Sequence, residues 1–122
     1  MYNSSVITHN RLEEIMESIQ LIQEWSFTRH TVSDFMSTPE GVMAFNACVM
    51  RLQVIGEQVG KLLKDESHPL SIHPEIPWMA IYDMRNLISH EYSNIDEAVI
   101  VSTINQDLPK LKLVIQQLLD TI

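Results

Sequence analysis

Apolar residues recur along most of the chain at intervals of three and four, the period of a helix that buries one face. Leu12, Ile15, Ile19 and Ile22 follow that spacing and predict a first helix from about Asn10 to Phe27. Asn10 and Glu13 stand at capping-box distance, so Asn10 is expected to open it. A shorter helix is expected from Thr31 to Met36, with Thr31 and Asp34 at the same cap spacing. The third helix has the strongest pattern. Thr38-Pro39-Glu40 supplies a capping hydroxyl, a proline at the first helical position and an acidic first turn. Val42, Phe45, Val49, Leu52, Gly56, Val59 and Leu63 then alternate steps of three and four, and Lys61 and Lys64 close the last turn. Gly56 and Gly60 each cost about 1 kcal/mol relative to alanine inside a helix, so they imply that another helix approaches closely.

After the irregular stretch His68-Pro69 to Pro77, a fourth helix is expected from Pro77-Trp78 to about Ser89, with Trp78, Ile81, Met84 or Arg85, and Ile88 inward. A break follows at His90-Glu91-Tyr92-Ser93. Asn94 and Glu97 make a second capping-box pattern ahead of Val101, Ile104, Leu108, Leu111, Ile115, Leu118 and Ile122. Pro109 should bend that last stretch or start a new helix near Asp107. No segment alternates with the period of a strand. The expectation is one all-α domain over residues 1–122, an up-and-down bundle of four to five helices.

Composition narrows the class. The chain has 122 residues, the size of one domain, and 45% of them are hydrophobic, enough for a real core. Sixteen acidic residues against eight basic ones give a charge of −8, which argues against a general nucleic-acid coat but not against a local RNA site. Cys48 has no partner cysteine, which excludes an internal disulfide framework and suits a reducing cytosol. No apolar run reaches the ~18–20 residues of a membrane span, and the N-terminus lacks the basic and apolar regions of a signal peptide. A cytoplasmic domain without a membrane partner is therefore expected.

Most catalytic patterns are missing. There is no phosphate-binding glycine loop, no dinucleotide turn, no HExxH and no CxxC. His68 and His73 lie five apart in the proline-rich loop, but no carboxylate or cysteine spacing completes a ligand set, so neither a metal nor a cofactor is expected. Arg85-Asn86-Leu87-Ile88-Ser89-His90-Glu91-Tyr92 is the one constellation with chemical potential. On a continuous helix Arg85 and His90 would diverge by about 140°; a helix ending near Ser89 would let His90 turn back toward Arg85. An imidazole near neutral pKa could then deprotonate a ribose 2′-hydroxyl while the guanidinium stabilises the phosphorane oxygens. Asn86 offers an amide to hold phosphate or orient the imidazole. On spacing alone a structural role stays open: Arg85 could pair with Glu57 or Asp83, and Glu57 could be satisfied by Arg85 or position it. Trp78 and Tyr82 are expected as core and rim aromatics, and Cys48 as a small buried hydrophobe.

Arg85, His90 and Tyr92 match the R-x4-H-x-Y pattern of HEPN-domain proteins, and the surrounding sequence resembles the HepT branch. The agreement runs through Arg51 to Glu57, His73-Pro74-Glu75-Ile76-Pro77-Trp78, Met84 to Tyr92, and Asp107-Leu108-Pro109-Lys110-Leu111. That resemblance implies an all-α homodimer acting as a toxin ribonuclease on tRNA or mRNA, paired with an MntA-type minimal nucleotidyltransferase as antitoxin. It implies that Arg85 and His90 carry RNA cleavage, and that Tyr92 receives AMP groups that block the toxin. A homodimer would bring two His90 side chains to one cleft; its interface is expected at the Gly56–Gly60 seam or on a face of the last helix. The alternative is a non-catalytic helical binding module that pairs with a nucleotidyltransferase, a role suited to the acidic surface.

Overall fold

Thr38 opens the longest helix as its sequence requires: its backbone is extended, and its hydroxyl accepts the Gly41 N–H at 3.0 Å. In the computed structural model, which describes residues 4–121, this helix is α3 (Pro39–Leu63). It is preceded by α1 (Ser4–Trp25) and α2 (Val32–Met36) and followed by α4 (Trp78–His90). After a 3-10 turn at Tyr92–Asn94, α5 (Glu97–Ser102) and α6 (Leu108–Thr121) form one rod through a π-helical turn at Thr103–Asp107. The result is an all-α bundle of five helical rods, with no strand among the described residues. None of those helices is long and apolar enough to cross a membrane.

The expected α2 cap forms on both sides: the Asp34 N–H donates to the Thr31 hydroxyl at 3.0 Å, and the Thr31 N–H donates to the Asp34 carboxylate at 3.1 Å. Two other boundaries differ from expectation. The first helix is already helical at Ser4, and Asn10 lies exposed within it rather than at a cap. Its first turns are held by a distant contact, the buried Thr8 hydroxyl donating to Asp65 just beyond α3 at 3.5 Å. The last rod is capped by Asp96, which accepts the Ala98 N–H at 3.0 Å, and not by Asn94. Asn94 is taken up by the 3-10 turn, where its N–H donates to the Glu91 carbonyl at 2.9 Å. Pro109 acts as foreseen in kind: lacking an N–H, it cannot continue the ladder, and the helix widens just before it, with the Leu108 N–H reaching back to the Thr103 carbonyl. Ile122 lies outside the described residues.

Long-range hydrogen bonds establish the helix directions. Gln58 on α3 donates to Glu14 on α1 at 3.3 Å, and Lys112 on α6 donates to Gln23 on α1 at 3.2 Å. The Cys48 thiol points to the Ile22 carbonyl at 4.0 Å. Residues early in α3 therefore meet residues late in α1, which makes the pair antiparallel, and α6 runs antiparallel to α1 likewise. The core lies among α1, α3 and the last rod. Leu12, Ile15, Ile19 and Ile22 are all fully buried against Val49, Leu52, Ile55, Leu111, Ile115 and Leu118. Each such side chain contributes about 1.5–3 kcal/mol of transfer free energy. Phe35 meets Phe45 edge-on, with centroids 5.7 Å apart, and ties α2 to α3.

Gly56 and Gly60 have the close neighbour their cost implied, and it is α4 of the same chain. A Cβ on Gly56 would overlap the Arg85 Cβ and stand 3.1 Å from the Ile81 carbonyl oxygen; one on Gly60 would overlap the Tyr82 ring. This corrects the expected dimer interface, because the glycine seam is already filled.

Candidate functional site

The order of contacts along α3 and α4 decides what the site presents. Gly60 faces Tyr82, Gly56 faces Ile81 and Arg85, and Gln53 meets Ser89, so α4 runs antiparallel to α3 and its C-terminal end lies over the first half of α3. The Gln53 side-chain amide donates to the Ser89 hydroxyl at 2.9 Å. Two turns earlier on α3, Asn46 accepts a hydrogen bond from the Tyr92 hydroxyl at 3.4 Å. These two amides grip residues 89 and 92, which flank His90 in sequence. Sequence reasoning missed Asn46 altogether and had Gln53 only as part of a matching block, because both act across 46 and 36 residues of chain.

Arg85 is half-buried, its stem fixed against Gly56. Its Nη1 donates to the Asn86 side-chain oxygen at 3.1 Å, while its Nε is fully buried without a hydrogen-bond partner. A guanidinium carries five N–H donors, so most of its donor capacity is uncommitted here. Helix α4 continues through His90 and ends at Glu91, whose N–H donates to the Leu87 carbonyl at 2.9 Å. The helix therefore does not stop at Ser89, and His90 does not turn back toward Arg85. Instead half-buried Asn86 and exposed His90, four apart, lie on one side of α4. The Arg85 guanidinium reaches that face by its bond to Asn86.

Glu57 does not pair with Arg85. It is exposed and forms an i,i+4 ion pair with Lys61 at 3.8 Å. Lys64 lies over the Tyr82 ring, 5.8 Å from its centroid, on the same α3–α4 face. Asp83 and Glu91 are exposed beside the cluster, so its surroundings are mixed in sign. Tyr92 is 54% exposed, and its ring forms one lip of a cleft of about 170 Å3 lined by Val42, Phe45, Asn46, Val49 and Ile95 among others.

Two of the other four histidines have carboxylate partners. His73 meets the Glu75 carboxylate at 3.0 Å, a bond that holds the Glu75 carboxyl below its ordinary pKa. His9 pairs with Glu13 at 3.6 Å. His68 sits in a left-handed turn with φ of 49°. Among the described residues, no group of three or more His, Cys, Asp or Glu side chains gathers as a metal site. Cys48 is buried as expected, and burial pushes its thiol pKa up to about 11.

A sequence model of the family described as "Ribonuclease HepT-like" matches residues 11–118, nearly the whole chain, including Asn46, Gln53, Arg85, His90 and Tyr92. The chain belongs to the HepT-like ribonuclease family. It is 35% identical over 102 residues to "Probable ribonuclease HepT" of Thermococcus cleftensis, covering 83% of this chain and 86% of that one. It is 30% identical over 108 residues to "Putative RNase TTE0752" of Caldanaerobacter subterraneus subsp. tengcongensis, covering 88% and 90%. A third relative, "Gamma-glutamylcyclotransferase and putative RNase MJ0434" of Methanocaldococcus jannaschii, is 29% identical over 101 residues, which are 83% of this chain and 42% of that protein. No solved structure matches the chain. The HEPN resemblance read from Arg85, His90 and Tyr92 thus agrees with the family found over the whole domain, and the chain is a ribonuclease by family.

Proposed function

We propose that this protein is the toxin of a HEPN–nucleotidyltransferase module, a cytoplasmic endoribonuclease that cleaves RNA at Arg85 and His90 without a metal ion. The observation that carries the reading is the 3.1 Å contact from Arg85 to Asn86, which draws the guanidinium to the face that bears His90. His90 takes the proton of a ribose 2′-hydroxyl, and O2′ attacks the adjacent phosphorus. Arg85 donates to the phosphorane oxygens as negative charge grows there. The P–O5′ bond breaks, leaving a 2′,3′-cyclic phosphate, and the departing O5′ takes a proton. A second imidazole suits that last step, since one His90 per chain cannot be base and acid in the same event. A second copy of the chain supplies it. Exposed apolar side chains on these two helices favour such a partner: Met43 and Met50 on α3 and Met79 and Leu87 on α4 are all more than half exposed.

In this reading Tyr92 is the regulatory position. Its exposed hydroxyl accepts AMP from a cognate nucleotidyltransferase antitoxin, which adds bulk and negative charge beside Arg85 and His90. The charge of −8 favours a second reading, a binding module that docks on a basic partner without cutting RNA.

One experiment separates the two. Purified, unmodified protein is incubated with total RNA or tRNA in EDTA, beside folded His90→Ala and Arg85→Ala variants. Products with 2′,3′-cyclic phosphate ends, lost in both variants, support the ribonuclease at this site. Intact RNA throughout, with a well-folded dimer, overturns it and leaves the binding module. Growth arrest on expression, relieved by His90→Ala, would test the toxin role separately.

A further inference from the structure

The cleft beside Tyr92 is not used by the cleavage chemistry, yet it opens within two residues of His90. Two residues of chain span at most about 7 Å, so the Tyr92 backbone at the cleft stands close to that of His90. Its floor is apolar: Phe45 and Val49 are 6% and 1% exposed. Tyr92 and Val42, both exposed, line it together with two polar residues, Asn46 and Glu97. A volume of about 170 Å3 equals the room of roughly five or six waters in the liquid, enough for one unstacked ring system and not a stacked pair.

The charge balance gives such a site a use. Eight basic residues stand against sixteen acidic ones in the whole chain, and Lys61 is paired with Glu57. Contacts that carry no net charge would add affinity that a surface of charge −8 does not gain from phosphates. Base stacking on an aromatic ring is such a contact, and it needs a base that is splayed out of a helix. An amide and a carboxylate in the lining, from Asn46 and Glu97, supply donors and acceptors with which one base edge differs from another.

We infer that the cleft formed by Tyr92, Phe45, Val49, Val42, Asn46 and Glu97 is a nucleobase subsite, and that the substrate is single-stranded RNA with one unstacked base beside the cleaved phosphate. The inference rests on the ribonuclease reading. In this arrangement Tyr92 stacks on the base, Asn46 and Glu97 read its edge, and the hydrogen bond from Tyr92 to Asn46 fixes the ring at the lip.

The test maps cleavage ends on a random-sequence single-stranded RNA and on perfect duplexes, for the wild type and for Tyr92→Ala, Tyr92→Phe and Val42→Trp. Val42 lies at the open side, so an indole there fills the cleft without entering the core. The wild type is expected to prefer one base at one position next to the cut and to leave duplexes intact. Tyr92→Ala and Val42→Trp should raise KM roughly 5- to 150-fold, the range of one base stack, with a smaller change in kcat. Both should flatten the base preference, and Tyr92→Phe should keep it. An unchanged preference in Val42→Trp, or duplex cut as fast as single strand, overturns the subsite. If the wild type cuts no RNA, the ribonuclease reading falls and the subsite is read by binding alone. Titration with 2′-O-methyl tetranucleotides to millimolar concentration then shifts the methyl resonances of Val42, Val49 and Ile95 if the cleft holds a base, and leaves them still if it does not.

Discussion

Gly56→Ala is the sharpest probe of how the fold sets the site. The added Cβ would overlap the Arg85 Cβ and approach the Ile81 carbonyl oxygen to 3.1 Å. Neither neighbour can swivel aside: one is the first carbon of the arginine stem and the other is helix backbone. Helix α4 itself must move. Overpacking of this kind costs about 1–3 kcal/mol, and the better helix propensity of alanine returns about 1 kcal/mol, for a net loss of roughly 0–2 kcal/mol. Gly60→Ala is the matched control. Its Cβ meets the Tyr82 ring, the outer part of a half-buried side chain that can rotate toward solvent at the expense of its contact with Lys64. Its clash is therefore cheaper than that of Gly56→Ala, while the propensity gain is the same. Thermal melts read the difference at about 3–6 °C per kcal/mol for a domain of this size. Cleavage rates read the displacement of Arg85, since a shift near 1 Å can cost on the order of 100-fold. Gly56→Ala should melt below Gly60→Ala and lose far more activity than stability. A Gly56→Ala protein that melts at or above wild type with unchanged cleavage would refute the packing argument, and the melts alone test it if no RNA is cut.

Two further outcomes follow from the same contacts. Gln53→Ala removes the 2.9 Å bond to Ser89 at a cost of about 0.5–1.5 kcal/mol, whereas in Gln53→Glu the Ser89 hydroxyl can donate instead, so thermal melts should place the glutamate variant above the alanine one. Burial raises the Cys48 pKa from 9.0 to about 11, so its contribution to stability is intact below pH 9, where neither state is ionised, and is lost as pH rises through about 11, because the unfolded thiol ionises first; denaturant titrations at pH 7.5 and 10.5 should show an alkaline loss on the order of 1–3 kcal/mol that Cys48→Ala lacks.

What could be read from the sequence was what local chemistry determines. Thr38-Pro39 specifies the start of α3 whatever surrounds it, and Thr31 with Asp34 does the same for α2. The start of α1 was misplaced because its first turns depend on Thr8 reaching Asp65, 57 residues away. The cap of the last rod was misplaced for a different reason. Ser93, Asn94 and Asp96 all have capping side chains, and the choice among them belongs to the 3-10 turn that ends α4. At the site, Arg85, His90 and Tyr92 were legible as a pattern, but their geometry was not. Whether α4 stops at Ser89 or runs one residue further depends on the grip of Gln53 and Asn46, and no local signal encodes a partner on another helix.

That one-residue extension changes what each group can do. Had the helix ended at Ser89, Arg85 and His90 could have met directly, and Asn86 would have been incidental. With His90 inside the helix, Asn86 lies four residues before it and accepts from the guanidinium, and an Asn86→Ala protein loses that acceptor. The same extension sets Tyr92 on the turn beyond the helix, where its hydroxyl meets Asn46 and its ring borders the cleft. A nucleotide attached to that oxygen would leave it unable to donate to Asn46. It would also place a phosphodiester charge among Glu91 and Glu97, and its own base at the mouth of the cleft. Access for a substrate base and for the phosphate that follows it would close together. On the proposed reading, a modification at Tyr92 would therefore act on both at once, because that residue would stand between the two places an RNA would occupy.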